Sequence, residues 1–120
     1  RNHAAYKRAL AGIAGIRVLD YDAAERNSHH YIVLEADETF PVSRDDIVAA
    51  LQAENILARK YFWPGCHKMQ PYRDLFPNAG MLLRQTEALA EKIVVLPNGT
   101  SMDESVVEAI GNILPVLAGQ

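Results

Sequence analysis

The stretch "HYIVLEAD", His30 to Asp37, sets an apolar run between a polar loop and an acidic turn. A short apolar run bounded in this way reads as a buried strand. The continuous Tyr31-Ile32-Val33-Leu34 core makes it the central strand of a sheet. Three further segments read as extended: "GIRVLDY" (Gly15 to Tyr21), "LARKYF" (Leu57 to Phe62) and the brief "IVVLP" (Ile93 to Pro97). Helical patterns lie between and around them. Tyr6, Leu10 and Ile13 fall at i, i+4 and i+7 of a first helix. Ser43 and Asp46 form a capping box ahead of Ile47, Val48 and Leu51, and Asn55 takes the left-handed position that ends that helix, with Ile56 as the following contact. "PYRDLF" suits one helical turn, and Thr86 is placed to cap a short helix running to Lys92. Ser101 with Glu104 opens the last helix, whose apolar face is Val106, Ile110, Ile113, Leu114 and Leu117, and which Pro115 should kink or shorten. This order predicts an α+β fold, a largely antiparallel sheet of about three strands packed against helices on one face.

The 120 residues are 49% hydrophobic and 22% charged, which predicts one globular domain spanning the chain. The formal charge of −3, with Lys and Arg scattered, offers no basic stripe for a phosphate backbone, so nucleic acid is not an expected partner. No apolar run approaches the roughly 20 residues of a membrane-crossing helix, and the amino terminus lacks the pattern of a secretion signal. A cytoplasmic chain is expected. Cys66 is the only cysteine, so no internal disulfide can form. The chain begins at Arg1 already in helical spacing without a clear cap before it, which points to a longer protein or a processed terminus.

Between the strand at Leu57 and the last helices lies "YFWPGCHKMQPY", Tyr61 to Tyr72, with two Pro, a Gly, the only Trp and the only Cys. Its donor atoms, together with His3, His29 and His30, invite a metal reading, but the spacing opposes it. Adjacent His29 and His30 on a strand point to opposite faces, and Cys66-His67 has no offset that lets two ligands meet one ion. A Cys66-His67 nucleophile pair fails because the base must reach the thiol from a separate position. Cys66 reads as a small packed residue and His30 as a half-buried residue opening a strand. His67, on an irregular loop beside aromatics, is open to both a functional and a packing reading. "ARKYFW" could hold an anion by charge and a planar group by stacking, and equally could be a strand with core aromatics and solvated bases. "NGT" at Asn98 matches a glycosylation acceptor but reads more simply as a turn before a helix. Gly12 and Gly15 do not build a phosphate-cradling loop.

The run "ARKYFWPGCHKMQPY", followed by "QTE" and "VVLP", resembles the carboxy-terminal signature of the DegT/DnrJ-type aminotransferases, pyridoxal-phosphate enzymes of fold type I that act mainly on nucleotide-linked keto sugars. The likeness covers essentially the whole chain. "NHAAYKRALAGIAGI" is similar to the helix joining their two domains, "NSHHYIVLEAD" to their central small-domain strand, and "SRDDIVAALQAENI" to the helix before the signature. Its most specific part is the aromatic-Pro-x-x-His run ending at His67, then Thr86-Glu87 and Leu96-Pro97. Two departures stand out: "LLRQTE" lacks the usual Pro before Thr-Glu, and "WPGCH" replaces the commoner Pro-Leu-His.

The resemblance implies that this chain is the carboxy-terminal small domain of a longer enzyme, with the large pyridoxal-phosphate-binding domain and its Schiff-base Lys upstream. No catalytic residue is expected here, and the fragment alone should not transaminate. It further implies substrate-contacting roles for His67, Arg59, Tyr61 and His30, an amino-acid donor (Glu or Gln), a nucleotide-sugar acceptor, and a homodimer when complete. The competing expectation is a small α+β binding or regulatory module without catalysis. A further rival is a family member turned DNA-reading regulator.

Overall fold

In the computed structural model of the chain, which describes residues 1–119, β2 (Ile32–Ala36) is the middle strand of an antiparallel sheet ordered β1-β2-β3. β1 (Ile16–Val18) pairs with it through Ile16↔Ala36 and Val18↔Leu34, and β3 (Ile93–Leu96) through Ile32↔Leu96 and Leu34↔Val94. The central position expected of the 30–37 run is therefore observed. Its burial alternates, however: Ile32, Leu34 and Ala36 face the core, Val33 and Glu35 are half-buried, and Tyr31 is exposed. A strand with one covered face obeys the two-residue period of the pleat, so a continuous apolar run does not give a continuous core. On the open face Glu35 accepts from Arg17, its partner across β1 and β2.

Helices α1 (Asn2–Ala9), α2 (Arg44–Ala53) and α5 (Glu104–Leu117) supply the core opposite the sheet. Tyr6, Ile47, Leu51, Ile110 and Leu114 are fully buried with Ile32 and Leu34. Ser43 caps α2 as expected, accepting from the Asp46 amide and donating its hydroxyl proton to the Asp46 carboxylate. Asn55, at φ 59°, ends it with two reverse bonds, Asn55 N–H to Gln52 O and Ile56 N–H to Leu51 O. This is the left-handed closure read from the sequence.

Two expected caps are displaced. Asp103, not Ser101, caps α5, accepting from the Ser105 amide at 3.2 Å. Val107 thereby becomes the buried residue of the first turns, and Val106 lies at its flank. Thr86 lies inside α4 (Arg84–Ala90), because a 3-10 turn at Ala79–Met81 runs into that helix and sets its start at Leu83. Pro115 stays within α5, close enough to the end that the helix still reaches Leu117.

The 57–62 segment shortens to a single antiparallel bridge. Arg59 and Val95 exchange both backbone bonds, at 3.0 and 2.8 Å. Beyond it the chain folds into turns, with Trp63 N–H bonded to Lys60 O and Gly65 N–H to Phe62 O. A 3-10 turn at Cys66–Lys68 and the single helical turn α3 (Tyr72–Leu75) follow.

Candidate functional site

The Arg59–Val95 bridge places Arg59 on the outer edge of β3, and the first residues after it form one wall of a cleft of about 430 Å³. His30 and Tyr31, entering β2, form the opposite wall, and Leu96, Pro97 and Asn98, leaving β3, line its floor. The cleft therefore brings together His30, Arg59 and Tyr61, three of the four residues that the sequence marks for substrate contact. The rings are in contact: His30 lies edge-on to Tyr31 at 4.5 Å between centres, Tyr31 to Tyr61 at 6.2 Å, and Tyr61 stacks on Phe62 at 5.1 Å. Arg59 donates from Nη1 to the Tyr61 hydroxyl. His30 is exposed and precedes the strand instead of opening it half-buried. The turn carried by His29, at φ 50°, delays pairing until Ile32.

Charge separates Arg59 from the other basic residues near it. Lys60 is held 3.4 Å from the Asp45 carboxylate and 5.1 Å from the centre of the Trp63 ring, Arg44 is bonded to Asp45, and Lys68 is paired with Glu87. Arg59 is exposed and, among the described residues, has no carboxylate partner. A guanidinium left unneutralised beside aromatic faces can take an anion by a bidentate bond while a planar group stacks next to it.

His67, the fourth expected residue, does not line this cleft. Its side chain is 8% exposed, and Nε2 lies 3.0 Å from Glu87 Oε1 on α4. A carboxylate only accepts, so the ring proton sits on Nε2. The bonds from His67 and Lys68 hold the Glu87 carboxyl below its ordinary value, which keeps it ionised near neutral pH. A smaller depression of about 300 Å³ lies there, lined by His67, Lys68, Arg73, Phe76 and Glu87. Cys66 beside it is exposed, not packed, because the 3-10 turn directs His67 inward instead.

The third concave region, at the start of α1, joins His3 and His29 at 5.7 Å between ring centres. His3 donates from Nε2 to Leu19 O, and Asn98 donates to His29 O at 2.5 Å while accepting from Asn2. The Asn98 amide is thus engaged in holding the 21–31 loop to α1. Among the described residues no group of three or more His, Cys, Asp or Glu is placed to hold a metal ion, and no helix is long and apolar enough to cross a membrane.

Sequence reading misses Arg44. It is 6% exposed and donates to Ala90 O and Ile93 O at 2.5 and 3.0 Å, joining the start of α2 to the end of α4 and the start of β3. The available signal is a cation in the first turn of a helix, where the dipole favours anions.

The DegT/DnrJ/EryC1/StrS aminotransferase family model matches residues 1–115. The dTDP-4-amino-4,6-dideoxy-D-glucose transaminase of Escherichia coli is 31% identical over 109 residues, 91% of this chain and 29% of that protein. The transaminase of the same name from Shigella dysenteriae is 27% identical over 107 residues, 88% of this chain and 28% of its own. Among solved structures, DesI in the presence of its TDP-sugar product superposes with a TM-score of 0.87 at 38% identity, covering 100% of this chain and 30% of DesI. Helicobacter pylori PseC, an aminotransferase involved in the biosynthesis of pseudoaminic acid, shares the fold with a TM-score of 0.78 at 18% identity, over 98% of this chain and 31% of PseC. The chain thus spans about 30% of the length of these relatives. With the three-stranded sheet and its helices in the arrangement of fold type I aminotransferases, and with the family pattern running from Arg1 to Pro115, the chain belongs to the DegT/DnrJ/EryC1/StrS family of pyridoxal-phosphate-dependent aminotransferases.

Proposed function

We propose that the chain is the carboxy-terminal small domain of an aminotransferase that moves an amino group from an amino acid, Glu or Gln, onto a keto sugar carried by a nucleotide. The observation that carries the substrate class is Arg59, an exposed guanidinium with no carboxylate partner among the described residues, set on a cleft beside Tyr61, Tyr31 and His30. A sugar linked to a nucleoside diphosphate presents what such a wall can take: a dianionic linker for Arg59 and flat or hydroxylated groups for the rings and His30. The TDP-sugar product in whose presence the DesI structure was determined and the dTDP-sugar in the name of the Escherichia coli relative support the same class.

The lysines of this chain do not suit the cofactor bond. All four are at least one third exposed and each is paired with a carboxylate: Lys7 with Asp20, Lys60 with Asp45, Lys68 with Glu87 and Lys92 with Glu38. A Schiff-base lysine works from a desolvated, unpaired setting. In this reading the cofactor lysine lies in the part of the protein outside this chain, and Arg59, Tyr61 and His30 serve on the substrate side by binding and orienting the sugar nucleotide. The chain acts as one small domain, supported by the continuous core joining α1, α2, α5 and the sheet. A homodimer belongs to the same proposal. Tyr72, Leu75, Phe76, Met81 and Leu82 are all more than half exposed, which supports a further protein surface covering them. So does a cytoplasmic setting, supported by a surface thiol at Cys66.

The test is a pair of half-reactions in the complete protein. Addition of glutamate or glutamine should change the absorbance of bound pyridoxal phosphate, and a keto sugar nucleotide should restore it. A protein that binds sugar nucleotides without any such band contradicts the aminotransferase and favours the binding or regulatory module.

A further inference from the structure

The segment from Tyr61 to Met69 is anchored at its start by the Arg59–Val95 bridge and the Lys60–Asp45 pair. Its far end is joined to α4 by two side-chain contacts to one oxygen, His67 Nε2 to Glu87 Oε1 at 3.0 Å and Lys68 Nζ to the same Oε1 at 3.3 Å. The helix that carries Glu87 buries none of its residues. Leu82, Leu83 and Leu89 around it are exposed, so apolar packing within the chain does not place α4. Polar bonds join it to the body: Ala90 O accepts from Arg44, and Glu87 accepts from His67 and Lys68.

Two glycines make the contact possible. A Cβ at Gly65 would lie 2.8 Å from His67 Cε1, and one at Gly80 would run into the Glu87 carboxylate. The imidazole is thus seated against the backbone of its own loop, and the carboxylate against the 3-10 turn before α4. Side chains of ordinary size at either position would push one partner off the other. The pair spans two segments twenty positions apart that otherwise meet weakly, and its donor is nearly buried while its acceptor is ionised, the charge-assisted kind of bond.

We propose that Glu87 is a positioning residue: by holding His67 it fixes the far end of the 61–69 loop, and so sets the wall of Tyr61, Phe62 and Trp63 beside the Arg59 cleft. This deepens the substrate-site reading given above and rests on it only for what the cleft binds, because the order of the loop can be measured without any ligand.

Amide hydrogen exchange in the complete protein reads that order. Trp63, Gly65, Lys68 and Met69 each donate their amide into a turn of this loop, so their protection reports its opening. Glu87→Ala should lower their protection roughly five-fold, with β2 and β3 unchanged. His67→Ala should lower it in the same direction, leaving only the Lys68–Glu87 pair, and the double variant should lose clearly less than the sum of the two single losses. Gly80→Ala should reproduce the effect with Glu87 still present, while Glu87→Gln, which keeps an acceptor oxygen but not its charge, should fall between the wild type and Glu87→Ala. Unchanged loop protection in Glu87→Ala, or additive losses in the double variant, would overturn the proposal. Affinity for a nucleotide-linked sugar is measured alongside on the same variants. Loss of loop protection with unaltered affinity leaves Glu87 as the loop's positioning residue and tells against the cleft as the sugar site.

Discussion

Arg44 Nη1 donates to the carbonyls of Ala90 and Ile93, at 2.5 and 3.0 Å, from a side chain that is 6% exposed. One guanidinium thereby joins three elements where α4 ends and β3 begins. A cation at the last carbonyls of α4 also meets the negative end of that helix. Arg44→Leu would leave both carbonyls without this donor and Asp45 without its nearest cation. It should cost about 2–4 kcal/mol in urea unfolding. Arg44→Lys should recover only part, because an ammonium cannot reproduce the planar fork. A loss below about 0.5 kcal/mol for Arg44→Leu would show that water takes over both carbonyls.

Burial raises the Tyr6 phenol above its ordinary value of 10.0, and its hydroxyl donates to Pro97 O at 2.9 Å. A group whose folded value is raised contributes stability that is complete below the unfolded value and lost as pH rises beyond it. Stability should therefore fall above about pH 10 through this residue, since unfolding releases its proton there. Tyr6→Phe should be about 1–2 kcal/mol less stable at neutral pH, through the orphaned carbonyl. The gap between the two proteins should close as pH climbs past the ordinary tyrosine value, as thermal melts at several pH values would show. A constant gap would mean that the phenol stays neutral in both states.

Asn55 closes α2 at φ 59°, where most side chains clash with the backbone. Asn55→Gly should be neutral within a few tenths of a kcal/mol, whereas Asn55→Val should cost about 1–2 kcal/mol. Equal stabilities in chemical denaturation would mean that the helix end relaxes out of the left-handed region.

Local rules served well where one residue decides its own surroundings. Ser43 and Asn55 cap α2 because a hydroxyl and a left-handed conformer act within a few positions of themselves. The sheet was legible because Ile32 and Leu34 lie in a run too apolar for any surface. What escaped depends on distant partners. Asp103 displaced Ser101 as the cap of α5, since either side chain could have served and three-dimensional packing chose the helix phase. Arg44 drew no reading because its partners Ala90 and Ile93 lie more than forty positions away. The same holds at the site. Arg59, Tyr61 and His30 line one cleft, whereas His67 lies outside it and is bonded to Glu87, twenty positions on. The family signature carries both residues without saying that they touch.

The proposed sugar-nucleotide site is the cleft at the edge of β3, where Arg59 is the one charge without a carboxylate partner among the described residues. Calorimetric titration of the complete protein with a nucleoside-diphosphate sugar, comparing wild type with Arg59→Ala, tests it most directly. Arg59→Ala should raise the dissociation constant about ten-fold or more, through loss of one charge-assisted contact to the diphosphate. Tyr61→Phe should raise it less. An unchanged dissociation constant in Arg59→Ala, with the fold intact, would contradict this site.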